Sequence, residues 1–375
     1  MEFLSIRADA ARVLDEAPRA IADDELLWCD CHHEQARDWV ETVARLTGVS
    51  VFEDHLLDAE NPYHPSFFDS TRSYEMIVFR GLAFNAATAD EVSPIRIRTR
   101  PTVFFVFPRC LVTIRAADSR MVPALRERLL SAAQANQRLP GSAEELMLRM
   151  LNAMVDRYLE LRQPLTDQLE RWQRQLLDPR RPFRDWLMLL EARGELRKLE
   201  QLCEEQLDAL QEWRDERLER ADPAPGRGFA PLNDPLQVRA SDVVEHIHRV
   251  LSHARRMQDA VETAVQLHFS ATAHRTNDIM RTLTTITAIF MPLSLITGIF
   301  GMNFEFIPGL HARLGFWIAI GVMAVVGLGL LGYFRARRYL TEPGSTRRGR
   351  RRRPAPSAPL SASAPSEQAA RSSGR

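Results

Sequence analysis

Residues able to do chemistry stand in four places in this sequence. Cys29, Cys31, His32 and His33 are of the types that hold a transition metal. Strand alternation would put both thiols on one face, which also suits core cysteines followed by a strand-to-helix turn, so both readings stay open. Cys110 and Cys203 add no zinc-ribbon or disulfide spacing, and sparse cysteine use suits a reducing compartment. Lys198 is the one lysine among 49 basic residues, and no phosphate-cradling loop surrounds it. Gly327, Gly329 and Gly332 spell Gly-x-Gly-x-x-Gly, but no strand precedes them. Close helix packing is favoured there over dinucleotide binding. Zinc-peptidase and nucleophile-elbow patterns are absent from the sequence, so nothing in it argues for an enzyme.

The fourth place is a row. Gln266, Ser270, Ala273, Asn277, Met280, Thr284, Thr287, Met291, Ser294, Gly298 and Met302 recur at helical steps of three and four. Bulky residues such as Ile286, Phe290, Leu293 and Phe300 take the other faces. A row of small and neutral-polar side chains either mediates helix packing or lines a polar path, and composition alone does not separate the two.

The row enters residues 282–302, which like 314–334 are 21 residues without a charged side chain. At ~1.5 Å per residue each spans ~31 Å, the thickness of a bilayer's hydrocarbon core. Two transmembrane helices are predicted. Arg335, Arg337 and Arg338 follow the second directly, whereas 303–313 holds only Glu305 and Arg313 as fixed charges, so both termini are placed in the cytoplasm. Residues 1–10 show no cleavable apolar leader. The formal net charge of zero hides a split: beyond residue 334 stand 11 arginines against Glu342 and Glu367, so the preceding chain carries 38 basic against 47 acidic residues. The arginine-rich 335–375 segment reads as a disordered topology determinant able to touch anionic lipid; nucleic acid is not expected as a partner.

The remaining chain must position this path. With 45% hydrophobic and 26% charged residues it has material for packed cores. Strand-like runs at 26–31, 75–84, 92–98, 102–107 and 111–116 surround a helical stretch at 34–47, which predicts a cytoplasmic α/β domain over 1–140. Residues 141–222 read as an antiparallel pair of long helices broken at Asp178 to Pro182. The acid-rich run 191–222 reads as a solvated helix face, or alternatively as an acidic surface that concentrates cations near an entrance. After a Pro/Gly linker, residues 232–302 form a stalk helix running into the first membrane span, with Val243, Ile247, Val250, Ala254, Met257, Val261 and Ala264 at steps of four and three. A helix of ~100 Å exceeds the needs of one domain, and a stalk packed from several subunits would explain it.

Gly301-Met302-Asn303, followed by Phe304-Glu305-Phe306 and Pro308, sits at the outer end of the first predicted span. Together with residues 276–280, 290–292 and 241–246, this resembles the CorA family of divalent-cation channels over about residues 26–340. The resemblance implies an α+β membrane protein: a cytoplasmic α/β domain, a long helical hairpin, a stalk helix and two C-terminal membrane helices, assembled as a homopentamer in the inner (cytoplasmic) membrane. It implies that Gly301, Met302 and Asn303 form the ion-selectivity motif in the 303–313 loop region. Asn277, Met280, Leu283, Thr284, Thr287, Met291, Ser294 and Gly298 would line the pore, and Glu305 would be the loop's acid. Asp242 matches a position where the family binds regulatory divalent ions, with Asp90 or Glu91 as its partner acid.

The expected activity is passive, channel-like transport of magnesium, with cobalt or nickel as passengers, gated by intracellular divalent ion and requiring no cofactor. Five amide oxygens could grip the ion's water shell without stripping it. The chain departs from the family at Gly309, where an acid is common, and in its arginine-rich tail. The alternatives are the zinc-transporting branch, kept open by His32, His33, His55 and His64, and a non-transporting anchored coiled-coil protein.

Overall fold

The structure, a computed structural model, describes residues 1–35, 37–83, 96–135, 137–176, 178, 186–219, 233–302 and 314–337. The chain divides into two compact units, Met1–Ala271 and Thr272–Arg375. The first opens with strands β1 (Glu2–Ile6), β2 (Ala11–Leu14) and β3 (Leu26–His32), then helices α1 (Val40–Thr47) and α2 (Glu53–Glu60). Strands β4 (Phe67–Ser70), β5 (Glu75–Leu82), β6 (Thr99–Phe107) and β7 (Cys110–Arg115) follow. Helices α3 (Met121–Gln134), α4 (Ala143–Glu160), α5 (Arg162–Leu176), α6 (Trp186–Glu219), α7 (Asp234–Phe300) and α8 (Gly315–Ala336) complete the described chain.

The seven strands form one sheet in the order β2-β1-β3-β7-β6-β5-β4. Among the described strands only β3 and β7 pair in parallel, which the long α1-to-β6 excursion between them permits. Strand β3 is buried along Leu26–Cys31 because both sheet faces are covered. One face sets Leu4, Trp28, Phe79, Phe104 and Leu111 against helices including α3 and α4; the other sets Leu27, Cys29, Cys31, Phe105 and Val112 against α1 and α2. Gly48 ends α1 at φ 71°, with its N–H on the Ala44 carbonyl at 2.8 Å, a left-handed cap that a side chain would strain.

Several local expectations change. The stretch 34–47 is helical only from Val40, after a short 3-10 turn at His33–Gln35. Of the strand expected at 92–98, residues 92–95 lie outside the described residues and 96–98 have no strand assignment; regular pairing starts at Thr99. The first hairpin helix is two, α4 and α5, separated at Leu161. Pro164 accounts for the break, since it has no N–H to offer the Glu160 carbonyl. The N-terminus of α4 is capped: Ser142 Oγ accepts from the Glu145 N–H at 3.2 Å, and Glu145 accepts from Gly141 N–H at 3.0 Å.

All seven seam residues from Val243 to Ala264 are buried, in the same cluster as Leu151 of α4, Leu169 of α5 and Leu199 and Cys203 of α6. The four-and-three spacing thus records packing against helices of the same chain. The acid-rich face of α6 is partly compensated by α7: Arg255 Nε donates to Glu200 at 2.7 Å, and Gln258 donates to the same carboxylate at 2.8 Å.

In the second unit the last turns of α7 and the whole of α8 are long and apolar enough to cross a membrane. Pro292 lies inside α7 and removes one i-to-i−4 hydrogen bond there. Leu293 of α7 packs on Gly327 of α8, where an added Cβ would meet Leu293 Cδ1 at 3.7 Å, while nothing lies within 4 Å of one at Gly329 or Gly332. Helix packing therefore explains the first glycine of the Gly-x-Gly-x-x-Gly pattern but not the other two.

Candidate ion path and regulatory acids

Asn277, Met280, Leu283, Thr284, Thr287, Met291, Ser294 and Gly298 are all exposed in the chain. The opposite face of α7 is the covered one. Thr285 is 1% exposed, Ala288, Ile289, Pro292, Leu293 and Ile296 are half-buried, and Leu293 carries the contact to α8. Helix geometry places the two sets roughly 140° apart, so α8 leaves the polar row open.

The row's two threonine hydroxyls are already committed as donors. Thr284 Oγ1 donates to the Met280 carbonyl at 2.8 Å and Thr287 Oγ1 to the Leu283 carbonyl at 3.0 Å. Their remaining lone pairs make an acceptor surface, and the waters around a hydrated cation point hydrogens outward. Such a surface holds a water shell without a fixed charge.

At the end of this row α7 unwinds. Gly301 N–H reaches the Thr297 carbonyl at 2.9 Å, and Met302 N–H reaches only Ile299 at 3.3 Å. A Cβ at Gly301 would stand 3.1 Å from the Thr297 oxygen, so a side chain would force the turn to shift. Asn303 and Glu305 lie outside the described residues, as do Asp90 and Glu91.

Asp242 is not at the head of its helix. Asn233 caps α7, its Oδ1 accepting from Leu236 N–H at 3.1 Å, and Asp242 lies two turns further on, exposed. Glu245 pairs with Arg249 at 2.5 Å and His246 with Asp156 at 3.1 Å, whereas Asp242 has no partner among the described residues. It is a solvated acid, not a cap.

The cysteine–histidine group separates by chemistry. Cys29 and Cys31 share a strand face with Sγ atoms 3.7 Å apart, fully buried in the core. The Cys31 thiol and burial push the Cys29 thiol well up, and burial pushes Cys110 to about 12. Thiols held protonated are poor metal ligands and poor nucleophiles. Desolvation lowers the His33 imidazole pKa. His55 sits between Tyr74 Oη at 2.8 Å and Asp69 at 3.0 Å, and His64 lies 3.4 Å from Asp58. No group of three or more His, Cys, Asp or Glu among the described residues is arranged to hold a metal.

Two buried ionic networks were not legible as such. Arg115 donates to Asp30 through Nε at 3.0 Å and Nη2 at 2.8 Å; Thr113 donates to Asp30 at 2.7 Å and accepts from Trp28 Nε1 at 3.0 Å. The Trp28-Cys29-Asp30 run was the available signal. Arg217 joins Glu75 of β5 to Glu144 of α4, with Trp213 donating to Glu75 at 2.9 Å. Nothing in the spacing marked that group.

A sheet domain, a helical hairpin on a long helix and two membrane-length helices define a membrane-anchored protein with one small and neutral-polar helix row. The family described as CorA-like Mg2+ transporter protein matches residues 23–338, and the chain belongs to that family. It is 28% identical over 203 residues to the cobalt/magnesium transport protein CorA of Thermotoga maritima, a match covering 53% of each chain, so it spans about half that relative. It is 24% identical to the putative metal ion transporter YfjQ of Bacillus subtilis, over 64% of this chain and 70% of that one. The fold matches the complete CorA magnesium transporter structure from Methanocaldococcus jannaschii, with TM-score 0.65 and 19% identity over 89% of this chain and 98% of that one. The cytoplasmic domain of ZntB from Vibrio parahaemolyticus matches with TM-score 0.51 and 14% identity, over 73% and 98% of the chains.

Proposed function

We propose that copies of this chain assemble, as a homopentamer, around the polar row of α7 and conduct hydrated magnesium passively across the inner membrane, with both termini in the cytoplasm. The observation that carries the reading is the exposed acceptor row that α8 leaves open, ending at Gly301-Met302-Asn303. Five copies would turn each row residue into a ring. Asn303 would supply the outer ring of amide oxygens, and Glu305 the acid at the mouth. Magnesium gives up water reluctantly, so a neutral acceptor lining admits it with its shell intact. Cobalt and nickel, of similar charge and size, would share the path. Gating by cytoplasmic divalent ion would act at Asp242, with Asp90 or Glu91 of an adjoining copy facing it.

The zinc reading gains nothing from His55 and His64, which have partners within the domain. The anchor reading leaves the acceptor row unused. Reconstitution in liposomes tests the proposal through flux of magnesium, cobalt, nickel and zinc, with and without a membrane potential. Magnesium entry driven by an inside-negative potential is expected; zinc flux with no magnesium flux would overturn it.

A further inference from the structure

Helix α6 carries an interior glycine that its own packing does not require. Gly194 has no positive φ, and a Cβ built on it would meet nothing beyond its own stretch of helix within 4 Å, yet glycine is less favourable than alanine inside a helix. The space it leaves is the floor of a groove of about 400 Å³, within the size range of small-molecule sites. Glu191, Glu195 and Lys198 line the same groove, at the three-and-four spacing that sets them on one face of α6 with Gly194. The other wall is the segment 96–98 that leads into β6. Arg96 and Arg98 are exposed there on either side of buried Ile97, whose N–H donates to Glu195 Oε2 at 2.7 Å and so fixes the segment on α6.

The charges in this groove do not balance each other. Lys198 Nζ donates to Glu195 Oε1 at 2.7 Å, so with Ile97 on its other oxygen that carboxylate is already bonded at both ends. Arg96, Arg98 and Glu191 have no ion-pair partner among the described residues. Two guanidiniums and an ammonium around one cavity repel one another until an anion stands between them, and the planar guanidinium fork matches phosphate oxygens. Glu191 would repel a bare phosphate. It suits one that brings a magnesium ion, whose retained waters donate to a carboxylate.

We propose that this groove binds a polyphosphate as its magnesium complex, with Arg96, Arg98 and Lys198 on the phosphates, Glu191 on the water shell of the metal, and Gly194 leaving room for the ligand. A nucleoside triphosphate and an inorganic polyphosphate share that chemistry. Every residue named belongs to the first unit, and the proposal asks nothing of a pore, so it stands or falls separately from ion transport.

Lys198 supplies the reporter, because it is the one lysine of the chain and its side chain is 62% exposed. Its acylation by an amine reagent, followed by peptide mass spectrometry, reads this groove alone; the arginine-rich 335–375 segment holds no lysine to react. In the full-length protein, magnesium ATP and magnesium tripolyphosphate should each slow acylation of Lys198 about tenfold or more at saturation, by pairing the ammonium and filling the groove, whereas magnesium chloride alone should not. Equal protection by the two would make the phosphate chain the recognised part, and stronger protection by ATP would add the nucleoside. Arg96→Gln and Arg98→Gln should each raise the half-protecting concentration about tenfold. Gly194→Ala should raise it as well while leaving the thermal midpoint unchanged or higher, which loss of a packing glycine would not do. Glu191→Gln should remove the advantage of magnesium ATP over ATP in a chelator. Absence of protection by either polyphosphate, or protection that ignores both arginine substitutions, would overturn the proposal. So would protection by short-chain phosphatidylglycerol in place of the polyphosphates, which would assign the groove to a lipid headgroup.

Discussion

Arg217 pairs with Glu75 at two points inside the domain, Nε standing 2.6 Å from Oε1 and Nη2 donating to Oε2 at 2.9 Å, with side-chain exposures of 2% and 0%. The same Nη2 donates to Glu144 Oε1 at 2.9 Å, so one cation holds two buried acids from two elements. Burial pushes the Glu75 carboxyl up and Arg217 opposes that shift. Removing the cation should therefore cost far more than removing one acid. Arg217→Met is expected to destabilise by about 3–5 kcal/mol, because two carboxylates stay buried without it. Glu75→Gln, which leaves Arg217 on Glu144, should cost about 1–2 kcal/mol. Denaturant titration of the two variants checks the order, and equal losses would show that the triad does not act as one unit.

The membrane helices offer a sharper contrast between neighbouring glycines. A Cβ at Gly327 stands 3.7 Å from Leu293 Cδ1, whereas one at Gly329 meets nothing beyond its own stretch of helix within 4 Å among the described residues, so Gly327→Val crowds α7 and Gly329→Val does not. The first should lower the thermal midpoint of the detergent-purified protein by several degrees, and the second should leave it within a degree or two. A drop at Gly329 as large as at Gly327 would mean that another copy covers that face.

How much of this was legible depended on period and punctuation. The sheet's inner strands and the α7 seam could be read because Leu26–Cys31 is apolar apart from Asp30 and the seam between Val243 and Ala264 keeps a helical period. Strand β2 could not: ARVL alternates weakly, and Val13 is 49% exposed at the sheet's edge. Pro164 was visible, but its effect depended on falling in the first turn of α5, where a proline is tolerated and simply marks a new start. The open face of the α7 row was legible as composition only. Which side α8 covers is decided by Leu293 meeting Gly327, a pairing 34 positions apart that no local pattern encodes.

Acid should loosen the soluble unit through its desolvated histidines. Burial lowers the pKa of His253, the Arg162 charge adding to the effect and the Arg162 backbone hydrogen bond opposing it, and burial does the same for His33. An unfolded histidine titrates near ~6.5, so below that pH the unfolded chain binds protons that the folded one refuses. Stability from these groups is fully present above about pH 6.5 and is lost as pH falls toward their folded values. His33→Gln/His253→Gln should flatten the decline in denaturation midpoint between pH 7.5 and 5.5, and an unchanged slope would assign the decline to other groups.

At the proposed pore mouth, two substitutions should fail in different ways. Gly301→Ala crowds the Thr297 carbonyl, 3.1 Å from the new Cβ, and so displaces the residues that follow. Asn303→Ala removes only the amides proposed to grip the water shell. Asn303→Ala is expected to reduce magnesium flux by an order of magnitude or more at unchanged assembly and thermal midpoint. Gly301→Ala should lose flux and also shift the midpoint downward. Wild-type flux in Asn303→Ala at equal expression would remove Asn303 from the selectivity ring.

The proposed regulation by cytoplasmic magnesium rests on Asp242, an exposed acid two turns into α7 whose neighbours Glu245 and His246 have partners of their own. A carboxylate without a counter-charge is what a regulatory cation needs. In an assembly, Asp242 would face an acid of an adjoining copy, and the two would repel until a divalent ion came between them. Bound magnesium would then favour the closed, symmetric arrangement by its differential affinity for it, and falling magnesium would release it. Asp242→Ala removes one arm of the site, so magnesium should no longer protect the purified assembly from limited proteolysis at concentrations that protect wild type. Asp242→Lys puts a fixed positive charge where the ion would sit and should protect at low magnesium. Protection curves of Asp242→Ala and wild type that superimpose across the titration would show that this acid does not sense the ion.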